Sequence, residues 1–385
     1  MEKDTPPVEV KEFIKLADFQ VGPDHVTWNR VSLASDQWVC CLHDRLGEDM
    51  ESAHTKEEGN HREKLQCVTV INLTQPGKFL TYHSVADSAG MNPLKPVIAL
   101  KAGTKFQVYN ISTRELLHQC TMEHEAVYWT WVNSELIAIV SDNALYHWCL
   151  EKENSVPEEV FKLDIRMSNC QIVSYKTDAS FRWHAMTALN VEENSISGVT
   201  QFFCRELCAS QCVSAHAVCF AQYTLDDNPY PSTVLCLASR QDCTLNGKIH
   251  VLELGPHTPG NYAPTSHSTD ITFIEEYNKY DFPVSLQVSE CHGLLYILTK
   301  YGHLYLCSMS NAACLFSMAI SSHVLFSTAF NSASEGVLAI NRAGQVLSIC
   351  ANRDSLIRHV RHALHKPKLA EKLDVLLHKN TLIRL

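Results

Sequence analysis

Residues 97–111, VIALKAGTKFQVYNI, set the pattern that the rest of the chain repeats. An apolar quartet, 97–100, is followed by the turn KAGT and by residues 106–111. In that second run Phe106, Val108 and Ile111 are apolar, while Gln107, Tyr109 and Asn110 are polar or amphipathic. Short apolar runs around a glycine-containing turn predict a β-hairpin. The same pairing starts near Trp38, Val97, Leu136, Met186, Val234, Leu294 and Val337, seven places spaced by about 39 to about 60 residues. A period in the forties built from short strands predicts β-propeller blades, and seven copies predict seven blades, a closed ring that leaves few sheet edges unprotected. The Gly-His and Trp-Asp signature of WD40 repeats is absent, and no helical periodicity lies between the strands to support an α/β fold.

Two segments interrupt the pattern. Residues 43–64, HDRLGEDMESAHTKEEGNHREK, are charged and lack alternation, which predicts a solvated loop inside the first repeat. Residues 255–268, GPHTPGNYAPTSHS, predict a Pro/Gly/Ser loop between strands. After Cys350 the period changes. Asp354 or Ser355 is suited to cap a helix whose apolar positions are Leu356, Ile357, Val360, Ala363 and Leu364. Pro367 suits the first turn of a second helix, with Leu369, Leu373, Leu376 and Leu377 on one stripe. The chain is thereby divided into an all-β propeller over 1–350 and the start of an α-helical, solenoid-like zigzag linker over 351–385.

Charge separates the same two units. The whole chain of 385 residues carries −10, but residues 351–385 hold eight Lys/Arg against three Asp/Glu, leaving 24 against 39 in the rest. An acidic propeller lacks the basic face that nucleic acid requires. The sixteen cysteines fall largely inside apolar strand runs such as those around Cys149, Cys236, Cys307 and Cys350, where free cysteine serves as a small core residue. The charged, Pro-bearing start MEKDTPPVEVKEF has no signal-peptide core, and no apolar run approaches the ~20 residues of a membrane span. A reduced, cytoplasmic location is expected, which makes the sequons at Asn72 and Asn110 chance matches.

Catalytic chemistry finds little support. There is no G-x-S-x-G, Walker A or G-x-G-x-x-G motif, and twenty scattered histidines define no particular constellation. Cys204, Cys208, Cys212 and His216 follow C-x3-C-x3-C-x3-H, a spacing that would converge on one helix face. The propeller pattern puts this segment in strands, where i and i+4 stand roughly 13 Å apart, too far to share a metal. No metal, no cofactor and no enzyme activity are predicted. A binding surface remains: Ile98, Gln107, Tyr109, Lys105 and Arg114 offer an apolar floor, an amide and two cations that suit an extended peptide with apolar and acidic residues.

Six runs carry a resemblance. ADSAGMNPLKPVIALKAGTKFQVYNI (86–111), SDNALYHW (141–148), NCQIVSYKTDA (169–179), DFPVSLQVSE (281–290), TKYGHLYL (299–306) and NRAGQVLSIC (341–350) resemble the amino-terminal domain of the clathrin heavy chain. The resemblance extends from about Phe19 to about Leu377, in register apart from the insertion in repeat one. It implies a seven-bladed propeller followed by a helical linker, acting as a non-enzymatic hub in endocytosis and other vesicle-mediated transport. Its partners would be the disordered tails of adaptor and accessory proteins with clathrin-box-like motifs, together with clathrin coat components, and it would reach membranes only through those adaptors at coated pits.

Site residues follow from the same resemblance. A groove between blades one and two that takes leucine-rich, acidic clathrin-box peptides matches at Leu80, Ile98, Gln107, Tyr109 and Arg114. Tyr109 stands where the family has Phe, Leu116 replaces a family lysine, Tyr82 replaces an arginine, and Lys105 occupies a family threonine position. A second pocket, which takes Trp-containing peptides, matches at Trp28 (a family Phe), Gln171 and Val173. A third groove, between blades four and five, matches at Trp183 and Gln211, with Leu207 in place of its arginine. The family's heavy chain continues into a long leg that builds the triskelion, whereas this sequence stops within the first linker helices. An adaptor-binding paralogue that does not assemble by itself is the expectation, and a propeller meeting another partner through its basic C-terminal helices is the alternative.

Overall fold

The computed structural model describes residues 5–46, 64–75, 77–152, 154–193, 195–226, 228–241, 244–260, 263–274 and 280–379. They form seven four-stranded antiparallel sheets arranged as the blades of a propeller. Blades one to six span 31–83, 88–121, 128–162, 171–214, 217–272 and 283–319. Blade seven takes three strands from 325–351, and its fourth and outermost strand comes from the other end of the chain. Val8–Lys15 pairs antiparallel with Gln345–Ala351, so the two ends of the domain close the ring by backbone hydrogen bonds.

The core is divided among the seven seams between blades. Each seam is a separate cluster, because strand alternation sends successive side chains of a blade to opposite neighbours. In blade two, Phe106 and Val108 point to blade three and pack with Trp131, Ile137, Ile139 and Trp148. Ile98 points the other way and packs with Cys40, Leu42, Val68 and Val70 of blade one. Strands buried on both faces become continuously apolar, as in Leu294–Thr299, in which every residue is buried. The blade-two hairpin is tighter than the sequence pattern suggested. Its strands are Val97–Ala102 and Lys105–Asn110, leaving Gly103 and Thr104 as the turn, with Gly103 at φ 57, the left-handed region glycine adopts without a Cβ clash.

Two expectations need correction. The first-repeat hairpin does not dissolve at His43: its strands continue to Leu46 and restart at Lys64, pairing His43 with Cys67 and Arg45 with Leu65. His43 is buried with its Nε2 2.7 Å from Thr69 Oγ1, a partner that supports a polar residue at an inward strand position. Residues 47–63 of the expected loop lie outside the described residues. The second correction concerns the first helix, α1 (Arg353–Arg358). It is capped by Asn352, whose Oδ1 accepts from the Ser355 N–H, because the last strand runs on to Ala351 and leaves Asn352 as the hinge residue. A π-helical turn, His359–Ala363, leads to α2 (Pro367–Lys379), which starts at its proline. The apolar stripe of both helices, Leu356, Ile357, Val360, Ala370, Leu373 and Leu377, is buried against blades six and seven. The propeller thus supplies the partner surface that two isolated helices lack.

Candidate functional site

The seam between blades one and two, packed across Val68, Val70 and Ile98, is where the first groove is expected. Register puts Ile98 opposite Tyr109 and Leu100 opposite Gln107, so these four share the face that looks at blade one. The outer strand, Leu116–Thr121, adds Leu116 beside Tyr109 and Gln119 beside Gln107. From blade one, Leu80 and Tyr82 alternate onto the opposite wall. Ile98 is the buried floor, Gln107 and Tyr109 are half-buried, and Leu80 and Leu116 are 47% and 44% exposed, an unusual amount for leucine on facing walls.

Tyr82 ties the two blades together. Its hydroxyl donates to the Ile111 carbonyl at 2.7 Å, and the Arg114 guanidinium lies over its ring, 5.6 Å from the centroid. Burial pushes the phenol's pKa up, against the neighbouring Arg114, so Tyr82 stays a neutral donor. Arg114 is at φ 62 in a turn whose Asn110 side chain accepts from the Ser112 and Thr113 N–H groups. From sequence, Tyr82 is expected only to remove a positive charge. Folded, it is the platform that places Arg114 at the groove. Lys105, on the same face and exposed, lines a cavity of about 410 Å³ on blade two together with Phe106, Gln107, Gln119, Cys120 and Thr121. Leu100, Gln119 and Thr121 escape sequence reasoning, because their neighbours are set by cross-strand register.

The second candidate set comes from the segment before blade one, which holds Trp28, and from blade four, which holds Gln171 and Val173. Trp28 stacks on Tyr128 of blade three, centroids 6.5 Å apart and planes 15° apart. Gln171 and Val173 belong to the inner strand of blade four, where Val173 is the bulged residue between Ile172 and Ser174. Burial pushes Tyr128 up to about 12, so the stacked pair is uncharged. In the third set, Trp183 and Gln211 lie on one face of blade four, since Trp183 pairs with Cys204 and the next same-face residue, Ala185, pairs through Phe202 with Gln211. That face packs toward blade five. Leu207 is 70% exposed in the adjoining turn. A cation is nevertheless present: Arg182 lies 5.9 Å from the Trp183 ring and is paired with Glu206 at 2.9 Å.

The Cys-x3 series does not converge. Cys204 and Cys212 are buried on one sheet, Cys208 is exposed in the turn between their strands, and His216 uses both ring nitrogens on backbone, Nδ1 accepting from Arg240 N–H and Nε2 2.9 Å from the Ile196 carbonyl. Another titratable chain is structural: the Tyr175 hydroxyl lies 2.7 Å from both His147 Nε2 and His184 Nδ1 between blades three and four. Burial lowers both imidazoles to about 4, leaving them neutral among the rings of Phe161, Phe181 and Phe203.

No family model matches the chain. It is 30% identical over 369 residues to clathrin heavy chain 2 of Homo sapiens, covering 96% of this chain and 21% of that protein. It is likewise 30% identical over 370 residues to the clathrin heavy chain of Drosophila melanogaster, covering 96% of this chain and 21% of that one. The Dictyostelium discoideum clathrin heavy chain is 28% identical over 365 residues, 94% of this chain and 20% of that protein. The chain therefore spans about a fifth of the length of these relatives. A chain in the crystal structure of a mitotic checkpoint complex superposes with a TM-score of 0.56 over 90% of this chain and 93% of that one; at 12% identity it shows the fold alone. With seven blades and docked helices, this chain is a seven-bladed β-propeller that along 96% of its length is similar to clathrin heavy chains.

Proposed function

We propose that this propeller is a non-enzymatic receptor for short linear peptides of the clathrin-box kind, presented by adaptor and accessory proteins in clathrin-type vesicle transport. The observation that carries this reading is the groove between blades one and two. It combines exposed Leu80 and Leu116, the Gln107 amide and the two cations Arg114 and Lys105 in a chain related over 96% of its length to clathrin heavy chains. Exposed leucines on facing walls suit bulky apolar peptide side chains, an amide suits peptide backbone, and the cations suit an acidic residue. The protein would act on the cytoplasmic side of membranes, reached through adaptors. Among the described residues no helix is long and apolar enough to cross one.

Calorimetric titration with a leucine-rich acidic peptide tests the reading. Gln107→Ala should weaken binding by roughly 5- to 10-fold, the worth of one hydrogen bond. Arg114→Glu should weaken it by ~10-fold or more, with the loss smaller at high salt. Absence of binding by the unmodified protein would refute it. A second reading has its own observation: α1 and α2 bury their apolar stripe and leave Arg358, Arg361, Lys366 and Lys368 exposed. If adaptor tails ignore the groove variants and another partner is lost on reversing Arg361 and Lys368, the propeller is a scaffold that works through its helices.

A further inference from the structure

A cluster on the seam between blades six and seven combines three ligand types of different softness. Cys291 and His292 lie in the turn between strands Pro283–Ser289 and Leu294–Thr299, and Glu335 lies in the turn between Leu325–Asn331 and Gly336–Asn341. The thiol, imidazole and carboxylate atoms all fall within 4.8 Å of one another, and all three residues are half-buried. Among the described residues this is the one such group with three His, Cys, Asp or Glu ligands. We propose that Cys291, His292 and Glu335 bind a single zinc-type divalent cation that clips blade six to blade seven.

The surroundings hold the three residues in place. Glu335 Oε2 accepts from Cys291 Sγ at 2.8 Å and from the buried Ser289 Oγ at 2.9 Å, the outer-shell support that a carboxylate ligand requires. Glu335 sits at φ 53, a left-handed conformation that a non-glycine residue adopts only when its surroundings enforce it. Its carbonyl accepts from the Tyr296 hydroxyl at 3.2 Å, and that hydroxyl in turn accepts from the Ala351 N–H at the end of the last strand. The opposite turn is equally fixed. The Gln222 N–H of blade five donates to Glu290, and at Gly293, φ 63, any Cβ would lie 2.7 Å from the Tyr223 hydroxyl and 3.1 Å from Leu376 of α2.

Chemistry then selects the ion. A thiolate, an imidazole and a carboxylate form a borderline-soft set that suits Zn²⁺ over Mg²⁺ or Ca²⁺. Bonds of about 2.0–2.3 Å in tetrahedral geometry need ligand atoms roughly 3.3–3.8 Å apart, within reach of small rotations from the present positions. On binding, the Cys291 S–H bond breaks, its proton passes to solvent, and an Sγ–metal bond replaces the Sγ–H···Oε2 hydrogen bond. Three protein ligands leave the fourth position to water.

Titration of the chelator-treated protein with Co²⁺ and Zn²⁺ tests the proposal. One equivalent of Co²⁺ should give a thiolate-to-cobalt charge-transfer band that one equivalent of Zn²⁺ abolishes. Cys291→Ser should remove the band, Glu335→Gln should weaken binding by at least ~10-fold, and Ser289→Ala should weaken it by ~10–100-fold, the range for loss of outer-shell support. Cys208→Ser, at the exposed cysteine of the unrelated Cys-x3 series, should leave it unchanged. A folded wild type without the band, or a band that survives Cys291→Ser, overturns the proposal; the wild-type measurement decides even if a variant fails to fold.

Discussion

Glu253 is a charge with almost no access to water, since its side chain is 1% exposed. Burial alone would raise its pKa. Hydrogen bonds from Asn228, the Thr265 N–H and Ser232, with His257 3.3 Å away, outweigh that effect and hold the carboxyl at about 2, below its ordinary 4.5. A depressed folded-state pKa stabilises the protein fully above the unfolded value and loses that contribution as pH falls from ~5 toward 2, on the order of 3 kcal/mol in all. Urea midpoints between pH 5 and 3 should therefore fall more steeply for wild type than for Glu253→Gln, and parallel curves would sink the assignment. At the groove, Leu116 stands exposed beside Tyr109. Leu116→Lys should raise affinity for an acidic peptide by roughly 2- to 5-fold at low salt, with the gain lost in a high-salt titration. Alternation alone placed Gln107 and Tyr109 on one face, and the register adds Lys105. The Tyr82–Arg114 contact was illegible, because the two residues belong to different blades and meet only through the seam.

At the scale of elements, the seven sequence repeats correspond to the middle strands of the blades: Trp38, Val97, Leu136, Leu294 and Val337 all stand at or next to the start of a second strand. Middle strands are covered on both faces, so their apolar runs are unbroken and conspicuous. Outer strands such as Leu116–Thr121, mostly exposed along their length, merge into the loop-like background. Alternation marked the C-terminal helices as well, yet what they pack against was not readable. Leu356 is wholly buried between the helices and blades six and seven. Leu356→Ala should cost about 2–5 kcal/mol by denaturant unfolding. A loss under ~1 kcal/mol would mean that the helices do not depend on the propeller for their cover.

The whole molecule depends on closure. Blade seven is complete only when Val8–Lys15 joins it, and Val8 is also a buried member of the seam cluster between blades six and seven. Removing residues 1–15 should leave strand Gln345–Ala351 as an open edge, lower the thermal midpoint by roughly 5 °C or more and promote self-association visible by size-exclusion chromatography. A synthetic peptide of residues 5–15 should restore the midpoint. An unchanged midpoint after removal would show that the ring does not need its closing strand.

The propeller, its seven blades and the change to helix after blade seven are legible in the order of residues. These follow from local alternation and from a repeat long enough to be counted. That order also marks the residues of one groove wall, because a strand assigns faces by parity. Folding was needed to show which walls face each other, that the Arg114 guanidinium lies over the Tyr82 ring, that the helices are covered by blades six and seven, and that Cys291, 44 residues from Glu335, meets it together with His292. The physical reason is the same in each case: blade-to-blade contacts are made between residues distant in sequence, whose proximity depends on register and ring closure, and neither leaves a local periodic trace.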